Sequence, residues 1–177
     1  MKILESFFTS NERDRSAYHG DWTLILTSVL YFVSCAIAIL EYYFISKEIN
    51  IYFFICGSVL IIVSAILRRW SIKSLGDQWA IHAVGPSKII SENHLVHHGP
   101  YRIVRHPIYV SYILDLLGFS LVFNALYTII FIIAVNIPSY IVRARFEEET
   151  SKKKFGSEYD AYRSKTYSML PFINTRK

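Results

Sequence analysis

The chain has little charge and almost no cysteine. Of its 177 residues only 19% are Asp, Glu, Lys or Arg, whereas 53% are hydrophobic and 16% are aromatic. This balance excludes an average soluble domain, in which about a quarter of the residues are charged. The two cysteines, Cys35 and Cys56, both lie in apolar runs with no CxxC motif and no paired spacing, which indicates ordinary core or lipid-facing residues. Residues 1–15 contain no apolar stretch of signal-peptide length.

The formal net charge of +5 does not indicate a nucleic-acid partner. The Lys and Arg residues stand in short clusters at the ends of apolar runs, where such residues orient helices and contact anionic lipid headgroups. We therefore expect membrane lipids as partners, no nucleic acid and no obligatory protein partner.

Four apolar runs are long enough to cross a bilayer, whose hydrocarbon core takes about 20 helical residues. The chain is thus predicted to be an all-α, polytopic membrane protein of one domain. The predicted spans cover residues 22–45, 49–67, 107–123 and 125–142, and the last two are divided at Phe123 and Asn124.

The distribution of basic residues predicts the orientation of these spans. Lys and Arg gather near the N-terminus, in the loop 68–106 and in the segment 143–154, while the other two loops carry one Lys between them. By the positive-inside rule, both termini, the loop and the tail 143–177 face the cytoplasm. In that tail we expect two helices on the membrane surface, with Gly156 as the stop between them.

Polar chemistry is densest in residues 93–109, directly before the third span. Pro107 suits the first turn of a helix, where its missing N–H costs nothing, and that places a positive helix end near His106. Free backbone N–H groups at such an end can hold an anion, for example a carboxylate. Irregular backbone at this position needs protein around it rather than lipid, so the loop is the candidate active site.

A second cluster follows the fourth span. Arg143 and Glu147 are four residues apart and share one face of a helix, while Glu148 points about 100° away. One interpretation is an ion pair on a solvated surface. The other is a binding site that faces the loop.

Several histidines raise the question of a metal site. His94, His97 and His98 are close in sequence, but no Cys and no nearby carboxylate completes a tetrahedral set, so no metal is expected.

Two acidic residues lie inside predicted spans. Asp115 is two turns into the third span, where it either pairs with Arg105 or Arg143 or acts as a base that takes a proton from an acceptor. Glu41, near the end of the first span, is expected to extend to the far membrane surface.

The run LVHHGPYRIVRHPIYVS, followed by ARFEEE and FGSEYDAYRSKTYSMLPFI, resembles the isoprenylcysteine carboxyl methyltransferase family and, more distantly, the phospholipid N-methyltransferases. The resemblance covers residues 69–173 and implies S-adenosylmethionine as the cofactor. It places Arg143 at the substrate, and Ser111 stands where the family usually has Gly. The residues that it assigns to cofactor binding are Asn93, His94, Leu95, Val96, Tyr101, His106, Pro107, Ile108, Tyr109 and Glu147.

The resemblance implies methyl transfer to a lipophilic small molecule that enters from the bilayer. We expect O-methylation of a carboxylate or a hydroxyl, and of the two we predict a hydroxyl on a long-chain lipophile. A carboxylate would need a cation such as Arg143 and no base, whereas a hydroxyl would need a base, for which Asp115 is the candidate. The alternatives are N-methylation of a phospholipid amine and a membrane scaffold without enzymatic activity.

Overall fold

The computed structural model describes the backbone of residues 2–76 and 95–169 and the side chains of residues 22–76 and 95–169. In these residues the chain is helical except for short turns and one isolated parallel β-bridge between Val104 and Tyr167. The predicted all-α class is confirmed.

Five helices follow one another along the described part of the chain. One π-helical turn, Tyr42–Ser46, follows directly after the first helix, and a second, Ile132–Asn136, lies inside the fourth. A short 3-10 turn, Gly99–Arg102, precedes the third helix. The helices are α1 (Lys2–Glu41), α2 (Ile51–Leu75), α3 (Pro107–Val122), α4 (Leu126–Phe155) and α5 (Ser157–Lys165).

Long apolar helices confirm an integral membrane protein. Among the described residues three segments are long and apolar enough to cross a bilayer, namely Trp22–Ser46, Ile51–Leu75 and Leu126–Phe155. Helix α3 is also apolar but has only 16 residues. Large apolar side chains face outward, as Phe32 at 70% exposure illustrates. A protein in water would bury such a surface, whereas lipid covers it without cost.

Helix α3 lies at the centre and contacts α1, α2 and α4. It touches α2 backbone to backbone, because a Cβ atom on Gly57 would lie 2.5 Å from the carbonyl oxygen of Gly118. A Cβ on Gly118 would in turn lie 2.8 Å from the carbonyl oxygen of Gly57. This close approach of two small residues, typical of helix pairs in membranes, sets the register between α2 and α3.

Glu41 does not extend to the membrane surface, so that expectation was wrong. Its side chain is buried, and its carboxylate accepts hydrogen bonds from the backbone N–H groups of Tyr127 (2.9 Å) and Thr128 (2.8 Å). The hydroxyl of Thr128 donates a third, at 2.7 Å. Glu41 thus satisfies the free N–H groups at the start of α4, and its negative charge faces the positive helix end.

The tail also departs from expectation. Residues 143–155 are not a separate surface helix but continue α4, because neither Gly nor Pro interrupts the helix between residue 143 and Phe155. Helix α4 ends at Gly156, as predicted. After α5 the chain returns to the start of α3, where the backbone N–H of Arg105 donates to the carbonyl oxygen of Tyr167 at 2.8 Å. We call the end of the bundle where α2 ends and α3 begins the loop end.

Candidate functional site

The site is built on the first turn of α3. Pro107 occupies the first position of the helix and His106 is its N-cap, as the sequence predicted. Among the described residues, none accepts a hydrogen bond from the backbone N–H of Ile108 or Tyr109. Those two donors and the positive end of the helix dipole are therefore available to an anion.

Tyr109, Arg143 and Glu147 form one hydrogen-bonded cluster between α3 and α4. The hydroxyl of Tyr109 donates to Glu147 Oε1 at 2.5 Å and accepts from Arg143 Nε at 2.7 Å. Arg143 Nη2 lies 3.0 Å from the same Glu147 oxygen. The predicted helix face shared by Arg143 and Glu147 is confirmed, and it faces Tyr109.

Arg143 is buried rather than solvated, with 6% of its surface exposed. Its Nη1 atom donates to Thr23 Oγ1 of α1 at 3.0 Å. The interpretation of Arg143 and Glu147 as a solvated surface pair is therefore wrong. The guanidinium joins three helices and orients the Glu147 carboxylate, of whose side chain 23% stays exposed.

His106 lies between two carboxylates. Its Nδ1 is 3.5 Å from Glu147 Oε2 and its Nε2 is 3.3 Å from Glu148 Oε1, while its ring stacks on Tyr109 with centroids 5.5 Å apart. Burial lowers the pKa of His106, but the hydrogen bonds and charges of Glu147 and Glu148 outweigh it, so the pKa lies above its ordinary value. Protonated His106 partly neutralises both carboxylates, and this contribution is lost as the pH rises through the raised pKa.

Glu148 forms a buried ion pair next to the site, and no pattern in the sequence indicated this pair. Its Oε1 lies 2.9 Å from Arg105 Nε, and only 2% of the Arg105 side chain is exposed. Arg105 Nη1 also donates to the carbonyl oxygen of Thr166 at 2.5 Å, and the hydroxyl of Ser168 donates to Glu148 at 2.9 Å. The pair thereby holds residues 166–169 against the start of α3. The two partners are 43 residues apart in sequence, so no local pattern indicates this contact.

The remaining predicted cofactor residues lie at or before the 3-10 turn. Tyr101 is buried, and its carbonyl oxygen accepts from the hydroxyl of Tyr162 at 2.7 Å. Leu95 and Val96 are half-buried. Asn93 and His94 lie outside the described residues.

Asp115 pairs with neither Arg105 nor Arg143, so the predicted partners were wrong. Its Oδ2 lies 2.6 Å from Arg68 Nη2. Arg68 is seven residues before the end of α2 and Asp115 is eight residues after the start of α3, so both lie about 10–12 Å inside the loop end. Arg105 and Arg143 contact Glu148 and Glu147 instead.

This arrangement offers an oriented carboxylate, free N–H donors and aromatic rings together at the start of α3. Such groups suit a ligand that carries an ammonium, a carboxylate and a further cationic centre. In the part of the chain with described side chains, no three His, Cys, Asp or Glu residues are placed to hold a metal ion.

Comparison with known proteins finds similarity to methyltransferases. The phospholipid methyltransferase family matches residues 52–158. The chain is similar to a "Protein-S-isoprenylcysteine O-methyltransferase B" of Arabidopsis thaliana, with 30% identity over 95% of this chain and 89% of the relative. It is 29% identical to a "Probable protein-S-isoprenylcysteine O-methyltransferase" of Oryza sativa subsp. indica, over 89% of this chain and 86% of the relative. An "Uncharacterized protein YpbQ" of Bacillus subtilis is 28% identical over 71% and 70% of the two chains. The resemblance inferred from the motifs is confirmed.

Proposed function

Because the chain belongs to the phospholipid methyltransferase family and is an integral-membrane methyltransferase, we propose that it transfers the methyl group of S-adenosylmethionine to a carboxylate oxygen of a lipophilic acceptor. The observation that carries this proposal is the Tyr109, Arg143 and Glu147 cluster against the first turn of α3. It presents a fixed carboxylate beside free helix N–H groups at the edge of the membrane.

The residues present fit the cofactor. Bound S-adenosylmethionine supplies a methyl group on a positively charged sulfur, and it also carries an ammonium and a carboxylate. Glu147 would hold the ammonium through its carboxylate, which Tyr109 and Arg143 orient. The N–H groups of Ile108 and Tyr109 would hold the carboxylate. The resemblance assigns the rest of the pocket to Asn93, His94, Leu95, Val96, Tyr101 and Pro107.

The transfer needs little from the protein beyond alignment. An acceptor oxygen would form a bond to the methyl carbon as the bond from that carbon to sulfur breaks, and the electron pair would stay on sulfur. A carboxylate is already ionised at neutral pH, so no proton has to be removed. Although the resemblance places Arg143 at the substrate, its contacts with Tyr109 and Glu147 support a role in keeping both residues in place on the cofactor side. Most of the rate would then come from orientation in a site without water.

The choice of a carboxylate acceptor rests on two observations. Two of the relatives compared above carry names that specify O-methylation of isoprenylcysteine, and we propose a prenylcysteine-like acceptor for this chain. Asp115, the candidate base for a hydroxyl acceptor, accepts hydrogen bonds from Tyr31 and Ser64 besides its contact with Arg68. These contacts engage both carboxylate oxygens and tie Asp115 to α1 and α2, which supports a structural role over a role as a base. An alkyl phenol or pyrone hydroxyl remains the second candidate, and the family's description points to a phospholipid amine as the third.

Turnover of purified protein on three acceptors tests the proposal. We expect a prenylcysteine analogue with a free carboxylate to gain one CH2 unit, detected by mass spectrometry. An alkyl phenol and a phosphatidylethanolamine should remain unmethylated under the same conditions. Preferential methylation of the phenol would contradict a carboxylate acceptor and support Asp115 as the base. Preferential methylation of the amine would contradict O-methylation.

We also propose that the chain crosses the membrane four times, with α3 as one crossing and both termini in the cytoplasm. The 16 residues of α3 span about 24 Å, which a locally thinned bilayer accommodates. Single cysteines introduced at Lys47 and Asn124, in a background without the native cysteines, should react with an impermeant maleimide from one side of sealed vesicles. Cysteines at Lys165 and at Lys88, which lies outside the described residues, should react from the other. Reaction of all four from the same side would contradict this topology.

A further inference from the structure

A charged cluster lies inside the bundle, next to the proposed cofactor site but not part of it. Asp115 of α3 is its centre: Oδ2 lies 2.6 Å from Arg68 Nη2 of α2 and accepts from the hydroxyl of Tyr31 of α1 at 2.7 Å. The hydroxyl of Ser64, also of α2, donates to Oδ1 at 3.1 Å. Ionisable residues at such depth in membrane proteins are costly to keep and mark functional sites by default.

Both carboxylate oxygens of Asp115 accept hydrogen bonds, whereas some N–H donors of Arg68 have no acceptor among the described residues. Besides the bond to Asp115, Arg68 makes one further hydrogen bond within the described residues, a long contact from Nε to Ser111 Oγ at 3.4 Å. Within the described part of the chain, no residue accepts a hydrogen bond from Arg68 Nη1, and 28% of the side chain is exposed. A guanidinium N–H that faces lipid without a partner is unfavourable, so this position calls for a polar or anionic ligand.

The cluster is reachable from the bilayer. Helices α1 and α2 both pack against α3, but they make little contact with each other. Tyr31 and Arg68 stand on either side of this gap, and both side chains are partly exposed. A lipophilic molecule can approach between the two helices with its polar group toward Arg68.

A row of aromatic rings connects the cluster to the cofactor pocket. The Arg68 guanidinium lies 4.7 Å from the ring centroid of Tyr112. Tyr112 stacks on Tyr140 at 6.1 Å, and Tyr140 stacks on Tyr109 at 5.5 Å. Tyr109 in turn is bonded to Glu147. Along α3, Asp115 and Tyr109 are six residues apart, or about 9 Å, so a ligand at Arg68 lies beside the pocket.

We propose that Arg68 binds the carboxylate of the acceptor and that Asp115 is the positioning residue that holds the guanidinium in place. This inference rests on the proposed O-methylation. Arginine presents two parallel N–H groups to a carboxylate, which would fix the acceptor's orientation as well as its place. Arg143 has donors in contact with Tyr109, Thr23 and Glu147 and so belongs to the cofactor side.

The test compares Arg68→Met with Arg69→Met, since Arg69 is the adjacent residue of α2 and is exposed. We expect Arg68→Met to raise KM for a prenylcysteine analogue roughly ten- to a hundredfold, with the Kd for S-adenosylmethionine unchanged. Arg69→Met should change neither value more than about twofold. Because Arg68→Met leaves Asp115 without its counter-ion, Arg68→Met with Asp115→Asn serves as a second variant without an unpaired charge, and it should show the same loss.

A binding measurement separates this inference from the proposed function. Wild-type protein should bind the carboxylate analogue more tightly than its carboxamide, and Arg68→Met should abolish that preference, whether or not the analogue is methylated. If wild type binds the cofactor but methylates no carboxylate, the proposed acceptor is wrong. The preference for the carboxylate analogue over the carboxamide would still test the role of Arg68. An unchanged preference in both Arg68 variants would overturn the inference. So would an Arg68→Met effect that appears only in vesicles with anionic lipid, since that would assign Arg68 to a lipid headgroup.

An Asp115→Asn variant distinguishes positioning from proton transfer. If Asp115 positions Arg68, the substitution should change KM for the acceptor and weaken the carboxylate preference. A loss of kcat with KM unchanged would assign Asp115 as a base and contradict its positioning role.

Discussion

Glu147→Gln should weaken S-adenosylmethionine binding about ten- to a hundredfold. The substitution keeps the size of the side chain but removes the charge proposed to meet the cofactor's ammonium, and a hydrogen bond to a charged group contributes about 1.5–3 kcal/mol. The carboxylate is already oriented by Tyr109 and Arg143, so little ordering remains to be done on binding. Isothermal titration of the purified protein in detergent measures the effect.

Glu149→Gln is the matched control. Glu149 carries the same charge on the same helix two residues further on, but it is exposed. We expect its effect on cofactor affinity to stay within about twofold, as is usual for surface charges. Equal and small effects at Glu147 and Glu149 would refute the assignment of Glu147 to the cofactor.

Arg105→Met should lower the free energy of unfolding by about 3–5 kcal/mol. Removing one partner of a buried ion pair leaves the other charge without compensation, and that penalty is large. Here the charge left behind is Glu148, whose side chain is 10% exposed and which keeps only longer cationic contacts among the described residues, with His106 at 3.3 Å and Arg163 at 3.8 Å. We therefore expect a loss at the lower end of that range. The carbonyl oxygen of Thr166 would lose its donor in the same step, which would weaken the contact of residues 166–169 with the start of α3.

Thermal unfolding in detergent, followed by tryptophan fluorescence, measures this loss. Arg102→Met is the control, because Arg102 is exposed and only three residues away. Arg105→Met with Glu148→Leu should recover part of the stability, since an apolar pair leaves no buried charge. If Arg105→Met unfolds at the same temperature as Arg102→Met, the pair does not hold the tail in place.

The site could be predicted in part from short-range patterns. Pro107 indicated the start of α3, because in the first turn of a helix proline sacrifices no hydrogen bond. The spacing of Arg143 and Glu147 indicated a shared helix face. Their contact with Tyr109 follows from the packing of two helices whose relative rotation no spacing reveals.

The partners of the buried charges could not be predicted. Asp115 was expected to meet an arginine from the helix ends, but in the antiparallel pair α2 and α3 the arginine at the same depth is Arg68. The register of α2 and α3 is set by the contact of Gly57 with Gly118. Nothing in the sequence around these two glycines indicates which charged residues will pair elsewhere along the helices. The pairing therefore depends on a distant packing contact.

The sequence by itself determined the membrane location, the helical class, the family and the ends of α3 and α4. Each of these depends on the length of an apolar run, on a local motif or on the backbone chemistry of one residue such as Pro107 or Gly156. The tertiary structure alone decided that Glu41 caps α4, that Glu148 pairs with Arg105 and that Asp115 holds Arg68. Those contacts join residues dozens of positions apart, so they depend on how helices rotate and slide against one another as they pack. That arrangement follows from the whole bundle and not from the sequence around any one residue.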